Sequence, residues 1–105
     1  MEIKHLTKAE FDREIQAAPL ALVDFWAAWC SPCSQLGPII ETLAQEYEGR
    51  LLVGKVNADE EIDLMNRYDI LSIPTVLLFK NGELVEKKAG VRPHYILAQM
   101  IEDNL

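Results

Sequence analysis

Basic residues are scarce in this chain: 10 Lys and Arg stand against 17 Asp and Glu, for a net charge of −7. Phosphate contact needs clustered cations. The one adjacent basic pair is Lys87-Lys88, so no nucleic-acid partner is expected. Long hydrophobic runs are missing as well. No stretch approaches the ~20 apolar residues of a membrane span. The opening Met1-Glu2-Ile3-Lys4-His5 lacks the basic-then-apolar pattern of a signal peptide. The expectation is a cytoplasmic protein with no membrane contact. Histidine is limited to His5 and His94, far apart in the chain, and cysteine to Cys30 and Cys33. That is too little for a disulfide framework. A closed zinc site wants four ligands, which these residues do not gather at metal-binding spacing. The length of 105 residues suits one domain over 1–105 and not two. Such a domain buries roughly two-thirds of its unfolded surface and folds without a metal or a staple. There is no internal repeat, low-complexity segment or linker.

What is present centres on Cys30-Ser31-Pro32-Cys33. A disulfide closing so short a loop stabilises by only about 2 kcal/mol, and strain can remove that. The pair therefore points to chemistry. Two cysteines at this spacing near a βαβ pattern read as a dithiol/disulfide redox centre. The alternatives are a metal half-site or two inert thiols. Both cysteines fall where an apolar run ends and an amphipathic pattern begins. Cys30 would sit at a helix entrance, where free N–H groups and the positive end of the dipole favour a thiolate. Cys33 would lie about one turn further in and be less accessible.

The surrounding pattern is regular. A short strand is expected near Ile3. Thr7 and Glu10 form a capping box, and Leu6 and Phe11 have the spacing of a hydrophobic staple. Leu20 to Trp26 is an apolar run broken only by Asp24, as in a strand covered on both faces. Leu36, Ile39, Ile40, Leu43, Ala44 and Tyr47 follow helical spacing, with Pro38 expected to kink the helix and Gly49 to cap it. Leu51 to Asn57 reads as a strand. Asp59 is expected to cap a short helix with Ile62, Met65 and Tyr68 on one face. Thr75 to Lys80 is another strand. Asn81-Gly82 signals a hairpin into an edge strand at Glu83 to Ala89, and Pro93 opens a last helix. The order β-α-β-α-β-α-β-β-α gives an α/β fold, a parallel core sheet with an antiparallel edge.

Four blocks in this order carry a family resemblance: Val23 through Cys33, Lys55-Val56-Asn57-Ala58-Asp59, Ser72-Ile73-Pro74-Thr75, and Phe79-Lys80-Asn81-Gly82-Glu83. Over essentially the whole chain the sequence resembles the thioredoxin family. The resemblance implies a central mixed five-stranded sheet flanked by four helices. It also implies a protein-disulfide reductase that maintains cell redox homeostasis. In that role Cys30 attacks a client disulfide and Cys33 resolves the mixed disulfide. Asp24, which is costly to bury in charged form and so should have a raised pKa, corresponds to the family's proton-handling acid. With the residue read by itself, the less favoured alternative is a strand-end carboxylate reaching water. Lys55 matches the lysine that tunes it, although alone it reads as a strand residue snorkelling to solvent. Pro74 resembles the family's cis-proline, and the Ile73 backbone the edge on which a client segment pairs. Ala28, Trp29 and Gly90 would rim the site, with Trp26 as packing beneath it. No bound cofactor or metal is implied. The partners implied are disulfide-containing clients and an NADPH- or ferredoxin-dependent thioredoxin reductase, acting on a monomer.

The chain also departs from the family pattern. Ser31 replaces the usual glycine between the cysteines beside Pro32, and its hydroxyl could stabilise a thiolate. Ser34 replaces a usual cation, which should destabilise it. Asp69 stands where glycine often follows a helix, a position Asp tolerates. Leu71 replaces a basic or polar residue near the docking surface, and with Ser34 it removes positive charge from where a reductase would dock.

Overall fold

The computed structural model describes residues 2–105. Its elements are β1 (Ile3–His5), α1 (Lys8–Ala17), β2 (Leu20–Trp26), α2 (Ser31–Glu46), β3 (Leu52–Asn57), α3 (Ile62–Arg67), β4 (Thr75–Lys80), β5 (Glu83–Ala89) and α4 (His94–Asp103). The strands form one sheet in the order β1-β3-β2-β4-β5. β1, β3 and β2 run parallel, and β4 and β5 are antiparallel to their neighbours. This is the mixed five-stranded sheet with four helices that the family resemblance implied; the pattern of elements alone led to a parallel core with one antiparallel edge, whereas β4 already runs antiparallel to β2.

Side-chain alternation along the strands sorts the core into two layers. Leu20 and Leu22 of β2 pack with Val53, Val76 and Leu78 under Leu36, Ile40 and Leu43 of α2 and Leu97, Met100 and Ile101 of α4. Ala21, Val23 and Phe25 face the other way, against Phe11 and Ile15 of α1 and Leu64 of α3. β2 is thus covered on both faces, which is why it reads as an unbroken apolar run. By the same alternation Asp24 falls on the α2 side, paired in register with Lys55 of β3 and Val76 of β4.

Local signals position these elements. The Glu10 carboxylate accepts from the Thr7 N–H at 2.8 Å and from its hydroxyl at 2.6 Å, and both Leu6 and Phe11 are buried. Asn81 and Gly82 both adopt positive φ, as a two-residue hairpin of this type requires. Gly49, at φ 85°, turns the chain after α2. α2 runs on through Pro38, so the proline does not end the helix.

Three expectations need correction. α3 begins at Ile62 with Glu61, not Asp59, as its N-cap. Asn57 accounts for the delay: its side-chain oxygen accepts from the Asp59 N–H, and its carbonyl from the N–H groups of Glu60 and Glu61. The helix therefore buries Leu64, and Ile62 is exposed. Pro93 is the N-cap of α4 and not its first residue. The strand expected from Leu51 starts at Leu52.

Candidate active site

β2 ends at Trp26, and a tight turn delivers the chain to Cys30, the N-cap of α2. Pro32 suits this first turn because it has no N–H to leave unpaired. Cys30 and Cys33 are joined as a disulfide, with Cα atoms 5.3 Å apart. The Cys30 sulfur accepts from the Cys33 N–H at 3.2 Å. It is therefore the atom toward which the helix N-terminus directs a donor, and negative charge there is favoured by both the hydrogen bond and the dipole.

A second element closes over the sulfurs. The Ile73-Pro74 peptide is cis, and Pro74 is buried. The Ile73 carbonyl oxygen lies 3.8 Å from the Cys30 sulfur, and the Ile73 side chain packs on Ala27, Cys30 and Cys33 together with Trp26. The Pro74 carbonyl accepts from the Gly90 N–H at 2.8 Å, which ties the Gly90 turn (φ 86°) to the same place. Trp29 stands 71 % exposed beside the pair. Its indole N–H donates to the Asp59 carboxylate at 2.9 Å, which fixes the ring's direction. Ala28 is exposed next to it. Two arms thus flank the disulfide, Trp29 with Ala28 on one and Ile73-Pro74 with Gly90 on the other.

The expected difference in accessibility between the cysteines does not appear. Cys30 is 4 % exposed and Cys33 7 %. With the disulfide closed, the cis-proline loop covers Cys30, and a neighbouring cleft reaches Cys33. That cleft, about 230 Å³, is lined by Trp26, Ala27, Ala28, Cys33, Ser34, Gly37 and Lys55. What separates the two sulfurs is the hydrogen bond from the helix, which Cys30 alone receives.

Asp24 is 1 % exposed, and neither carboxylate oxygen has a hydrogen-bond partner. Burial pushes its pKa up to about 6, and the Lys55 cation on the adjacent strand pulls the other way. Lys55 makes no ion pair with it among the described residues. Its ammonium instead lies 5.4 Å over the Trp26 ring. Trp26 is half-buried, with its indole N–H unpartnered. Ser31, Pro32 and Ser34 are exposed, and Ser31 makes no hydrogen bond to either sulfur. Among the described residues no group of three or more His, Cys, Asp and Glu stands where it could hold a metal. His94 bonds Glu46 at 2.6 Å, linking α4 to α2 away from the sulfurs.

The Asp59–Trp29 contact escaped the sequence reading, which placed Asp59 at a helix cap. Its one signal was the position of Asp59 just beyond the C-terminal end of β3, at the sheet edge where β2 also ends.

A helix-mouth disulfide beside a cis-proline, on a mixed sheet with helices on both faces, defines a thiol-disulfide oxidoreductase. The thioredoxin family model matches residues 2–103. The chain is 43 % identical over 100 residues to thioredoxin 2 of Chlorobaculum tepidum, covering 94 % of this chain and 92 % of that one. It is 39 % identical over 105 residues to the thioredoxin of Staphylococcus aureus, with both chains covered in full. A mutant thioredoxin from Halobacterium salinarum NRC-1 superposes with a TM-score of 0.91 at 34 % identity, covering 98 % of this chain and 90 % of that one. The chain belongs to the thioredoxin family. It has thiol-disulfide oxidoreductase activity carried by a redox-active cysteine pair without a bound cofactor, and its partners are disulfide-containing clients and a reductase.

Proposed function

We propose that Cys30 is the attacking sulfur and Cys33 the resolving one. The observation that carries this assignment is the Cys33 N–H directed at the Cys30 sulfur from the mouth of α2. The Cys30 thiolate attacks one sulfur of a client disulfide. A Cys30–client bond forms, and the client's other sulfur leaves as a thiolate that takes a proton. Cys33 then gives its proton to a base and attacks the Cys30 sulfur. The Cys30–Cys33 bond forms, and the second client sulfur departs. Two electrons have passed to the client, which leaves as a dithiol.

Asp24 suits the role of that base. A buried carboxyl with a pKa of about 6 is largely ionised at neutral pH, yet basic enough to take a thiol's proton. Lys55, on the same face of the adjacent strand, tunes it. Trp29, Ala28, Ile73, Pro74 and Gly90 receive the client, and Ser31, Pro32 and Ser34 adjust the stability of the thiolate. The protein works as a cytoplasmic monomer of one domain, recharged by an NADPH- or ferredoxin-dependent reductase. No helix among the described residues is long and apolar enough to cross a membrane.

Two experiments test this reading. In an insulin-reduction assay driven by dithiothreitol, the protein should accelerate precipitation of the reduced chains. A rate equal to dithiothreitol alone would leave only a binding module. The tuning role is tested by changing Ser31→Gly and Ser34→Lys separately and measuring each reduction potential. Loss of the Ser31 hydroxyl should disfavour the thiolate, and the Ser34→Lys cation should favour it, so the two potentials should move in opposite directions. Movement in the same direction would refute the opposition.

A further inference from the structure

Leu71 is 96 % exposed, the most exposed large hydrophobic side chain among the described residues. A lone exposed leucine is unremarkable on a protein surface. This one is held in place two residues from Ile73, which packs on the disulfide. Ile70, before it, is buried, and its N–H donates to the Met65 carbonyl at 2.9 Å. The Lys87 ammonium donates to the carbonyls of Tyr68 and Asp69 at 2.9 and 2.7 Å. After it, the Thr75 hydroxyl donates to the Ser72 carbonyl at 2.7 Å, and Ile73 packs on the disulfide. Leu71 is therefore displayed on a segment tethered on both sides. Docking onto it orders little that is not already ordered.

Its position fixes what can cover it. Two residues of chain span at most about 7 Å, so the Leu71 backbone lies within that distance of Ile73, whose carbonyl is 3.8 Å from the Cys30 sulfur. A client that brings its disulfide to Cys30 must pass between Trp29 and Ile73. Continued past Ile73, its chain meets Leu71. Leu71 thus offers exposed apolar surface two residues along the chain from Ile73, which packs on the disulfide. The Lys87 ammonium that reaches this segment from β5 is already engaged by two backbone carbonyls and has little to offer a carboxylate. On the other flank Asp59 and Glu60 are exposed, and the chain carries a net charge of −7. Both disfavour an acidic segment.

We propose that Leu71 is a specificity-determining residue that selects clients with an apolar side chain within a few residues of the attacked cysteine. This rests on the assignment of Cys30 as the attacking sulfur. The discrimination arises in docking, because covering an apolar side chain with an apolar partner removes both from water.

The test uses the whole protein recharged by dithiothreitol and a panel of disulfide peptides. In each peptide Leu or Ser occupies one of the three positions on either side of the cysteine. For at least one position, wild-type kcat/KM should favour Leu over Ser by about tenfold, or ~1.4 kcal/mol, which burial of a leucine side chain can supply. The difference should lie in KM. Leu71→Ser should bring the ratio close to one while leaving the reduction of hydroxyethyl disulfide unchanged; that small probe also reports that the variant is folded. An unchanged peptide ratio in Leu71→Ser would overturn the proposal. So would an equal loss with the small disulfide. If wild type reduces no probe at all, the exchange reading itself fails, and this proposal with it.

Discussion

Replacing Cys30 with Ser should abolish protein-disulfide reduction, leaving the rate of dithiothreitol alone. Ser at this position keeps the N-cap but supplies a hydroxyl, which is not a nucleophile toward sulfur near neutral pH. Cys33→Ser should behave differently. The first exchange still proceeds, because Cys30 keeps the helix dipole and can still accept the N–H of residue 33. The second exchange cannot, so a Cys30–client disulfide accumulates. One substitution yields an inert protein and the other a covalent trap. Mass spectrometry of complexes formed by Cys33→Ser would identify the clients. A trap formed by Cys30→Ser instead would reverse the two roles.

The second large effect concerns Asp24. An unfolded aspartate titrates near 3.8, and the folded one near 6. Well below 3.8 both states hold the proton, and the group is neutral to stability. As pH rises between the two values the unfolded chain releases its proton while the folded one retains it. Stability therefore falls with rising pH through this window and stays reduced above it. At ~1.4 kcal/mol per pKa unit, the penalty above pH 6 is about 3 kcal/mol. Asp24→Asn removes the charge and keeps the shape. At pH 8 it should raise the stability of the oxidised protein by about 2–3 kcal/mol, a Tm gain of roughly 10–20 °C for a domain of this size. By pH 4 the gain should have fallen to a small fraction of this, and well below 3.8 it should vanish. The same variant should slow the resolving step, by up to about 100-fold if Asp24 acts as a general base. Denaturant melts at pH 4 and pH 8 measure the first effect, and the release rate of a trapped client the second. Equal stabilities of the two proteins at pH 8 would mean that the carboxylate reaches water.

Much of this was legible in the sequence because it is written in local patterns. The apolar run from Leu20 to Trp26 marks a strand covered on both faces and singles out Asp24 as its one carboxylate. The Thr7–Glu10 pair fixes the start of α1, and Asn81-Gly82 fixes the hairpin. The cis state of the Ile73-Pro74 bond was available only through resemblance, because a proline by itself favours trans. What escaped depends on contacts between distant segments. Asn57 holds three following N–H groups and so delays α3, which no reading of Asp59 as a cap can anticipate. Asp59 instead reaches across to Trp29. The relative exposure of Cys30 and Cys33 depends on how the cis-proline loop lies over the sulfurs, not on which cysteine comes first in the helix. The exposure of Leu71 follows from tethers at Lys87 and Thr75, both on other elements.

One titration addresses the sulfur chemistry at its root. The fully reduced protein is exposed to a limiting amount of iodoacetamide across pH 5 to 9, and the labelled residue is identified by peptide mapping. If a thiolate is stabilised at the mouth of α2, alkylation falls on Cys30 alone, with a midpoint well below the ~8.5 of an ordinary thiol. Labelling that begins at Cys33, or reaches both cysteines together near the ordinary midpoint, would leave Cys30 without its proposed activation.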